Sequence, residues 1–468
     1  MTYQTIRDYM YAHRSEITAD LFRLSRIPSV RSDAQPNAPF GTECRRVLEE
    51  AVSLSREYGF SSAIDPSDMF ALTTLPGDER TIGLFGHADV VPVGEGWTIT
   101  QPFEPIEWNG CLVGRGVSDN KSGVIASLWA AKAIRELGLP MQSSLLLFTG
   151  SNEESGMADI RTFRDTHPMP DVSLVPDTRF PAGRGEKGIM RFWAESGAVL
   201  HDILSFDGGE AFNIILGNLD VRLRYRGDLY AELSSANAER IAVRRDGDEI
   251  VVSAEGMSKH AAHPEDSINA AYLAAKLLAD CQSLHEDDRA AMAETAGLLA
   301  DPWGGGFGIA ADDPELGQLT CANGMVSLKN GHLRLSFDVR YGTTVDSDEL
   351  ERKIDARLSD AGWTFELNSN RPGFLIPTDN PYLAGLLDMF GSLTGCEAKG
   401  NVTGGGTYAR YLVNAFSVGT ELDASRPDLP AGHGGAHQPD EVICVDGLLN
   451  AAAMLTMMLL RLDELLHK

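Results

Sequence analysis

Short uninterrupted apolar runs recur in the first part of the chain, and each ends on polar residues. Ile82-Gly83-Leu84-Phe85 leads into His87 and Asp89, Leu145-Leu146-Leu147-Phe148 leads into Glu153 and Glu154, and Val172-Ser173-Leu174-Val175-Pro176 leads into Asp177. Such runs suit strands buried on both faces rather than strands with one wet face. Between them runs a helical period from near Ser118-Asp119 to Leu137, with Val124, Leu128 and Ala131 on one face and Gly138 with Pro140 as the stop. Strands alternating with helical pattern predict a mostly parallel sheet covered by helices on both faces. From about Ile189 to Pro377 the pattern becomes alternating and hairpin-like, as in Arg240–Arg244, a turn at Asp246-Gly247, then Ile250–Val252. In another such segment Leu333, Leu335, Phe337 and Val339 share one face, while Asp338 and Arg340 fall on the other, expected to be exposed. After Asn380 the helical pattern returns, followed by the glycine-rich Thr403–Thr407 and an apolar terminal segment. The expected fold class is α/β: residues 1–188 and 378–468 form a domain with a mostly parallel sheet and helices on both faces, and residues 189–377 form an inserted α+β domain.

Size agrees with two domains, because 468 residues exceed what one core accommodates. Forty Lys plus Arg against 67 Asp plus Glu give a net charge of −27. That charge repels phosphate backbones and anionic lipid, so neither nucleic acid nor a membrane surface is an expected partner. The N-terminal segment lacks the basic, apolar and small-residue order of a secretion signal. The most apolar segment, Leu448 to Leu462, is broken by Asn450 and Arg461 and falls short of the roughly 20 residues a membrane span requires, so it reads as a buried helix. Six scattered cysteines without close pairs point to reduced thiols in a cytoplasm. Any metal is then held without thiolate.

In open α/β sheets ligands bind outside the carboxyl ends of the strands, which is where His87, Asp89, Glu153, Glu154 and Asp177 fall. Imidazole mixed with carboxylates suits zinc, manganese or cobalt, and such a site can hold two ions that activate one water. Each motif also has a plainer reading. His87-x-Asp89 is commonly a satisfied polar pair, and Asp119 is either a helix cap or a carboxylate bridging two cations. Glu153-Glu154 is either a solvated acidic pair or a ligand beside a general base. His433 and His437 compete to supply a second imidazole.

Taken together, Gly86-His87-Ala88-Asp89, Gly114-Arg115-Gly116-x-x-Asp119-Asn120-Lys121, Glu153-Glu154-Ser155-Gly156, Pro176-Asp177 and His437-Gln438-Pro439-x-Glu441 resemble the M20 metallopeptidases. Chain length, Phe180-Pro181, Gly185-Glu186-Lys187-Gly188 and the Gly404–Arg410 loop look most like the PepV-type dipeptidases within it. The resemblance implies a centre of two divalent cations, zinc with manganese or cobalt as equivalents. His87 and Asp177 would hold one ion, Glu154 and His437 the other, and Asp119 would bridge, with a cis Asp119-Asn120 bond. It implies Glu153 as general base, Asp89 as the partner of His87, and the inserted domain as a lid whose His260 stabilises the oxyanion. Arg340, Asn213 and Gly405 would contact substrate, Arg340 by a bidentate grip on the peptide carboxylate, its plainer reading being a surface ion pair with Asp338. Arg179 and the segment Ile214–Leu216 depart from the family pattern and bear on specificity. The implied activity is hydrolysis of short unblocked peptides by a cytoplasmic monomer. Two alternatives are an N-acyl amino acid deacylase on the same core and a catalytically silent, metal-dependent peptide-binding protein.

Overall fold

The computed structural model describes residues 2–236 and 238–468. The chain divides into two compact units, one made of Met1–Arg184, Ile376–Asn401 and Thr407–Lys468, the other of Gly185–Leu375 and Val402–Gly406.

In the first unit the strand Thr81–His87 lies between Ser144–Gly150 and Val172–Thr178 and runs parallel to both. Ala415–Gly419 extends the parallel part beside Val172–Thr178, while Phe70–Leu75 and Ser61–Ile64 close the opposite edge antiparallel. The apolar runs lack alternation because both faces are covered. Leu84 enters the core formed with Ile125, Leu128 and Leu448, whereas Phe85 on the other face meets Phe148 and the helix residue Phe163 at ring distances of 5.2 and 5.3 Å. Phe70 stacks on Phe148 at 4.9 Å and completes this aromatic cluster.

The helix after the Gly114–Asp119 segment spans Lys121–Glu136, with Asn120 at its N-cap. It starts later than the hydrophobic period suggests, and Asp119 does not cap it. The terminal helix Val445–Leu466 is, at 22 residues, longer than the segment expected from hydropathy, and it is the one described helix long and apolar enough to cross a membrane. It is a core element nonetheless, since 78% of its most apolar window is buried. Its polar interruptions are satisfied: Asn450 Oδ1 accepts from Arg7 Nε (2.8 Å), and the Asp463 carboxylate accepts from the amides of Gln142 and Ser143 (3.0 and 2.7 Å).

The second unit is built from antiparallel sheets. A 5-stranded sheet pairs Thr320–Ala322 and Val326–Lys329 with His332–Tyr341, followed by Gly188–Ser196 and Trp363–Arg371. A 4-stranded sheet orders Ile203–Phe206, Asn218–Arg224, Glu249–Glu255 and Ile241–Asp246, the last two forming the hairpin around Asp246-Gly247. Leu333, Leu335, Phe337 and Val339 are all fully buried, as their alternation requires. The opposite face departs from expectation, because Asp338 and Arg340 are 0% and 3% exposed rather than solvated. They escape the usual penalty for burying charge because they pair with each other.

Truncating a ring at the aromatic cluster leaves a cavity in a packed layer. Phe163→Ala is expected to destabilise the first unit by about 3–5 kcal/mol, read as a lowered denaturation midpoint. Val413→Ala, at a position 56% exposed, should stay within about 0.5 kcal/mol.

Candidate metal centre

The carboxyl ends of the parallel strands bring His87, Glu153, Glu154 and Asp177 together, and two loops add Asp119 and His437. One ligand atom each from His87, Asp119 and Glu154 lies within 4.8 Å of the others. His87 Nε2 is 3.3 Å from Asp119 Oδ1 and 3.8 Å from Asp177 Oδ1. His437 Nε2 is 3.2 Å from Asp119 Oδ2 and 3.0 Å from Glu154 Oε1. Asp119 therefore turns one oxygen to each imidazole, the arrangement a bridging carboxylate requires. His433 does not compete for this place, since its Nδ1 lies 2.8 Å from Asp440 Oδ2. His87 is 1% exposed and His437 is 41% exposed, so the cluster has a dry floor and an open rim.

Buried polar groups fix these side chains. Asp89 accepts from the backbone amides of Glu153 (3.1 Å) and Glu154 (3.2 Å). His87 Nδ1 is closer to the main-chain oxygen of Asp89 (3.0 Å) than to its carboxylate (3.5 Å), so the carboxylate serves the acidic loop more than the ring. A proton on Nδ1 leaves Nε2 free to face the acids. Asp159 accepts from the amides of Ser151 and Asn152 (2.9 and 2.8 Å) and from Tyr408 Oη (2.6 Å), pinning the start of the same loop.

Residues without an assigned role in the sequence prove central. The Asn120 side chain accepts from the His87 amide (3.3 Å) and donates to the Pro176 carbonyl, spanning two strand ends beside Asp119. The Asp119-Asn120 bond is cis. Gly123 permits this approach, because a Cβ there would lie 2.3 Å from the Pro176 oxygen. Glu441, fully buried, accepts from the amides of Gly116 (3.1 Å), Ser118 (2.8 Å) and Asp119 (3.0 Å) and pairs with Arg115 Nη1 at 2.8 Å. The loop bearing His437 and the loop bearing Asp119 are thus locked through one carboxylate. Both residues stand inside the sequence motifs, but only the fold shows what they hold.

The electrostatics are those of acids short of positive charge. Burial, reinforced by Asp177 and Glu154 against the opposing pull of His87, raises Glu153 well above the ordinary carboxylate range. Burial and the neighbouring Asp119 raise Glu154 as well. His437 is driven up to about 11: burial opposes this, and the contacts with Asp119 and Glu154 overcome it. For His87, too, burial is outweighed by Asp119 and Asp89, and the ring is pushed well up. The cluster favours positive charge among its acids, a role a divalent ion would fill at a site of this donor type. Glu153 Oε1 is buried without a hydrogen-bond partner.

The remaining candidates lie in the second unit. Asn213 Nδ2 is 3.5 Å from His260 Nε2, and His260 Nδ1 accepts from the Ala262 amide at 3.2 Å. Ala262 borders Gly404, whose carbonyl accepts from Arg340 Nη1 (2.9 Å), with Gly405 next in the chain. Arg340 does not present the free fork expected from sequence: its Nε and Nη2 are engaged by Asp338. Burial opposes ionisation of Asp338, yet Arg340 and Arg191 together hold it below the usual carboxylate range. In the divergent segment Ile214 is 49% exposed while Ile215 and Leu216 are core residues, and Arg179 is exposed.

A sequence model of peptidase family M20/M25/M40 matches residues 83–461, a stretch containing every clustered side chain. The chain belongs to this family. It is 24% identical over 468 residues to "Putative dipeptidase SH1171" of Staphylococcus haemolyticus, covering 96% of this chain and 97% of the relative. Among solved structures, human carnosine dipeptidase 1 matches with a TM-score of 0.62 at 16% identity, and the di-peptidase Dug1p of Saccharomyces cerevisiae with 0.63 at 13%, each covering 99% of both chains. These likenesses carry the fold, a mostly parallel α/β core with an inserted α+β domain. The protein is an M20-type hydrolase, and the clustered acids and imidazoles are its candidate metal-binding residues.

Removing the Glu441 carboxylate from this M20 protein strands a buried guanidinium and the amides it satisfied. Glu441→Ala is expected to lose about 3–5 kcal/mol of stability, measured by urea unfolding. In the fraction that folds, cation affinity should fall about 10–100-fold in a chelator-competition titration.

Proposed function

We propose that the protein is a metal-dependent dipeptidase cleaving short unblocked peptides. The observation that carries this reading is Asp119 facing both His87 and His437 beside a buried acid, Glu153, whose Oε1 has no hydrogen-bond partner. The dipeptidase names of the relatives support the substrate class. Two divalent ions, zinc with manganese or cobalt as substitutes, would be held by His87 and Asp177, by Glu154 and His437, and by Asp119 between them. When bound, they supply Lewis acidity that acidifies a water and polarises the peptide carbonyl.

The chain's own groups perform the rest. Glu153 Oε1, made basic by burial, takes the proton of the attacking water and returns it to the leaving amine nitrogen. Asp89 keeps the Glu153-Glu154 backbone in place during that transfer. His260, through a ring N–H, is the proposed donor to the oxyanion, with Asn213 beside it. Arg340, with Gly405, is the proposed partner of the peptide carboxylate, through the guanidinium N–H groups that Asp338 and the Gly404 carbonyl leave over. The acting form is proposed to be a cytoplasmic monomer.

Purified protein should release amino acids from unblocked dipeptides, lose this activity in chelator and regain it with zinc, manganese or cobalt. N-acetylated amino acids should be poorer substrates; a preference for them would favour the deacylase reading. Glu153→Gln should lower kcat about 10²–10⁴-fold with cation content unchanged. Dipeptide binding without turnover, alike in wild type and this variant, would instead favour a binding protein.

A further inference from the structure

Away from the strand ends, the second unit gathers a different set of donors. His201 and His285 face each other with ring centroids 4.0 Å apart, and Asp287 Oδ2 lies 3.2 Å from His201 Nε2 and 3.7 Å from His285 Nδ1. One ligand atom from each of the three lies within 4.8 Å of the others. All are open to solvent, at 48%, 44% and 53% exposure, so an ion can reach them without any rearrangement of the core.

Exposed polar side chains meet by chance on many surfaces, but here both backbones are held. Asp288, fully buried at the start of the helix Glu286–Leu298, accepts from the amides of His201 (2.7 Å), Asp202 (2.7 Å) and Ile203 (2.9 Å). In return Asp202, 6% exposed, accepts from the amide of His285 at 2.9 Å and is gripped by Arg226 Nη1 at 3.1 and 2.9 Å. Each histidine's main chain is thus anchored by a buried carboxylate from the other's segment. Little backbone freedom remains to be lost when the two rings engage a common ligand.

We propose that His201, His285 and Asp287 form a second divalent-cation site, separate from the family's centre. Two imidazoles and one carboxylate favour zinc, cobalt, nickel or copper over magnesium and calcium. His201 offers Nε2, and His285 offers Nδ1 once it releases the long 3.3 Å contact with the Asp287 amide. Solvent completes the coordination, so the ion exchanges readily. Its effect is to staple the segment before the strand Ile203–Phe206 to the start of the helix Glu286–Leu298, stabilising the second unit rather than turning over peptide.

The test uses full-length protein dialysed against buffered free zinc, with metal content measured by elemental analysis and thermal unfolding followed with and without zinc. His201→Ala/His285→Ala should hold one equivalent less zinc than wild type, and Asp287→Asn should bind that equivalent about tenfold more weakly. Dipeptide hydrolysis should be unchanged in both. In a His87→Ala background, which weakens the family's centre, zinc should still raise the unfolding temperature, and adding His201→Ala/His285→Ala should abolish the rise. Equal zinc content in wild type, Asp287→Asn and the double variant would overturn the proposal, as would an unaltered zinc-induced shift. Either result would leave only a surface hydrogen bond between His201 and Asp287.

Discussion

Carboxylates crowded into a dry pocket repel one another, and the first unit is organised around tolerating that repulsion. Asp119, Glu154, Asp177 and Glu153 cannot all be ionised at such spacing without positive charge among them. Without an added cation the imidazoles of His87 and His437 are drawn into that role, which is why both titrate above their ordinary range. The parallel strands deliver His87 and three of the acids to one edge, and two loops add Asp119 and the second imidazole, His437.

Holding these groups in place is the work of residues that are not themselves candidate ligands. Glu441, Asn120, Asp89 and Asp159 each satisfy backbone amides or carbonyls of the segments that carry the candidate ligands. Their polar atoms are consumed in this bracing, and burial makes each contact more costly to break. A carboxylate is suited to this task because it accepts several amide protons at once, as Glu441 does. The same device recurs in the second unit, where Asp288 and Asp202 hold two segments together.

Much of this was legible in the sequence, and the rest was hidden for physical reasons. Apolar runs without alternation marked the parallel strands because burial on both faces removes any need for polar positions. Their polar ends then located His87, Glu153 and Asp177. The alternation of Leu333 to Val339 marked the strand but misread its other face, because Asp338 and Arg340 neutralise each other and can be buried as a pair. Hydropathy cannot register such pairing. Likewise sequence left Asp119 open between a helix cap and a bridging carboxylate: the helix Lys121–Glu136 has Asn120 at its N-cap, and Asp119 is turned towards the imidazoles. Asn120 and Glu441 carried no signal beyond membership of a motif, since, Arg115 apart, the partners that brace the site are main-chain atoms that any sequence would provide.

The first unit is interrupted by the second, and it resumes only at Ile376. Its strand Ala415–Gly419, the imidazole of His437 and the brace Glu441 are therefore all translated after the inserted unit. A growing polypeptide on the ribosome carries His87, Asp119, Glu153 and Asp177 long before it carries the residues that complete their arrangement. The order of synthesis thus keeps a partly made chain from completing this cluster, and any premature stop upstream of His437 yields a product without its second imidazole.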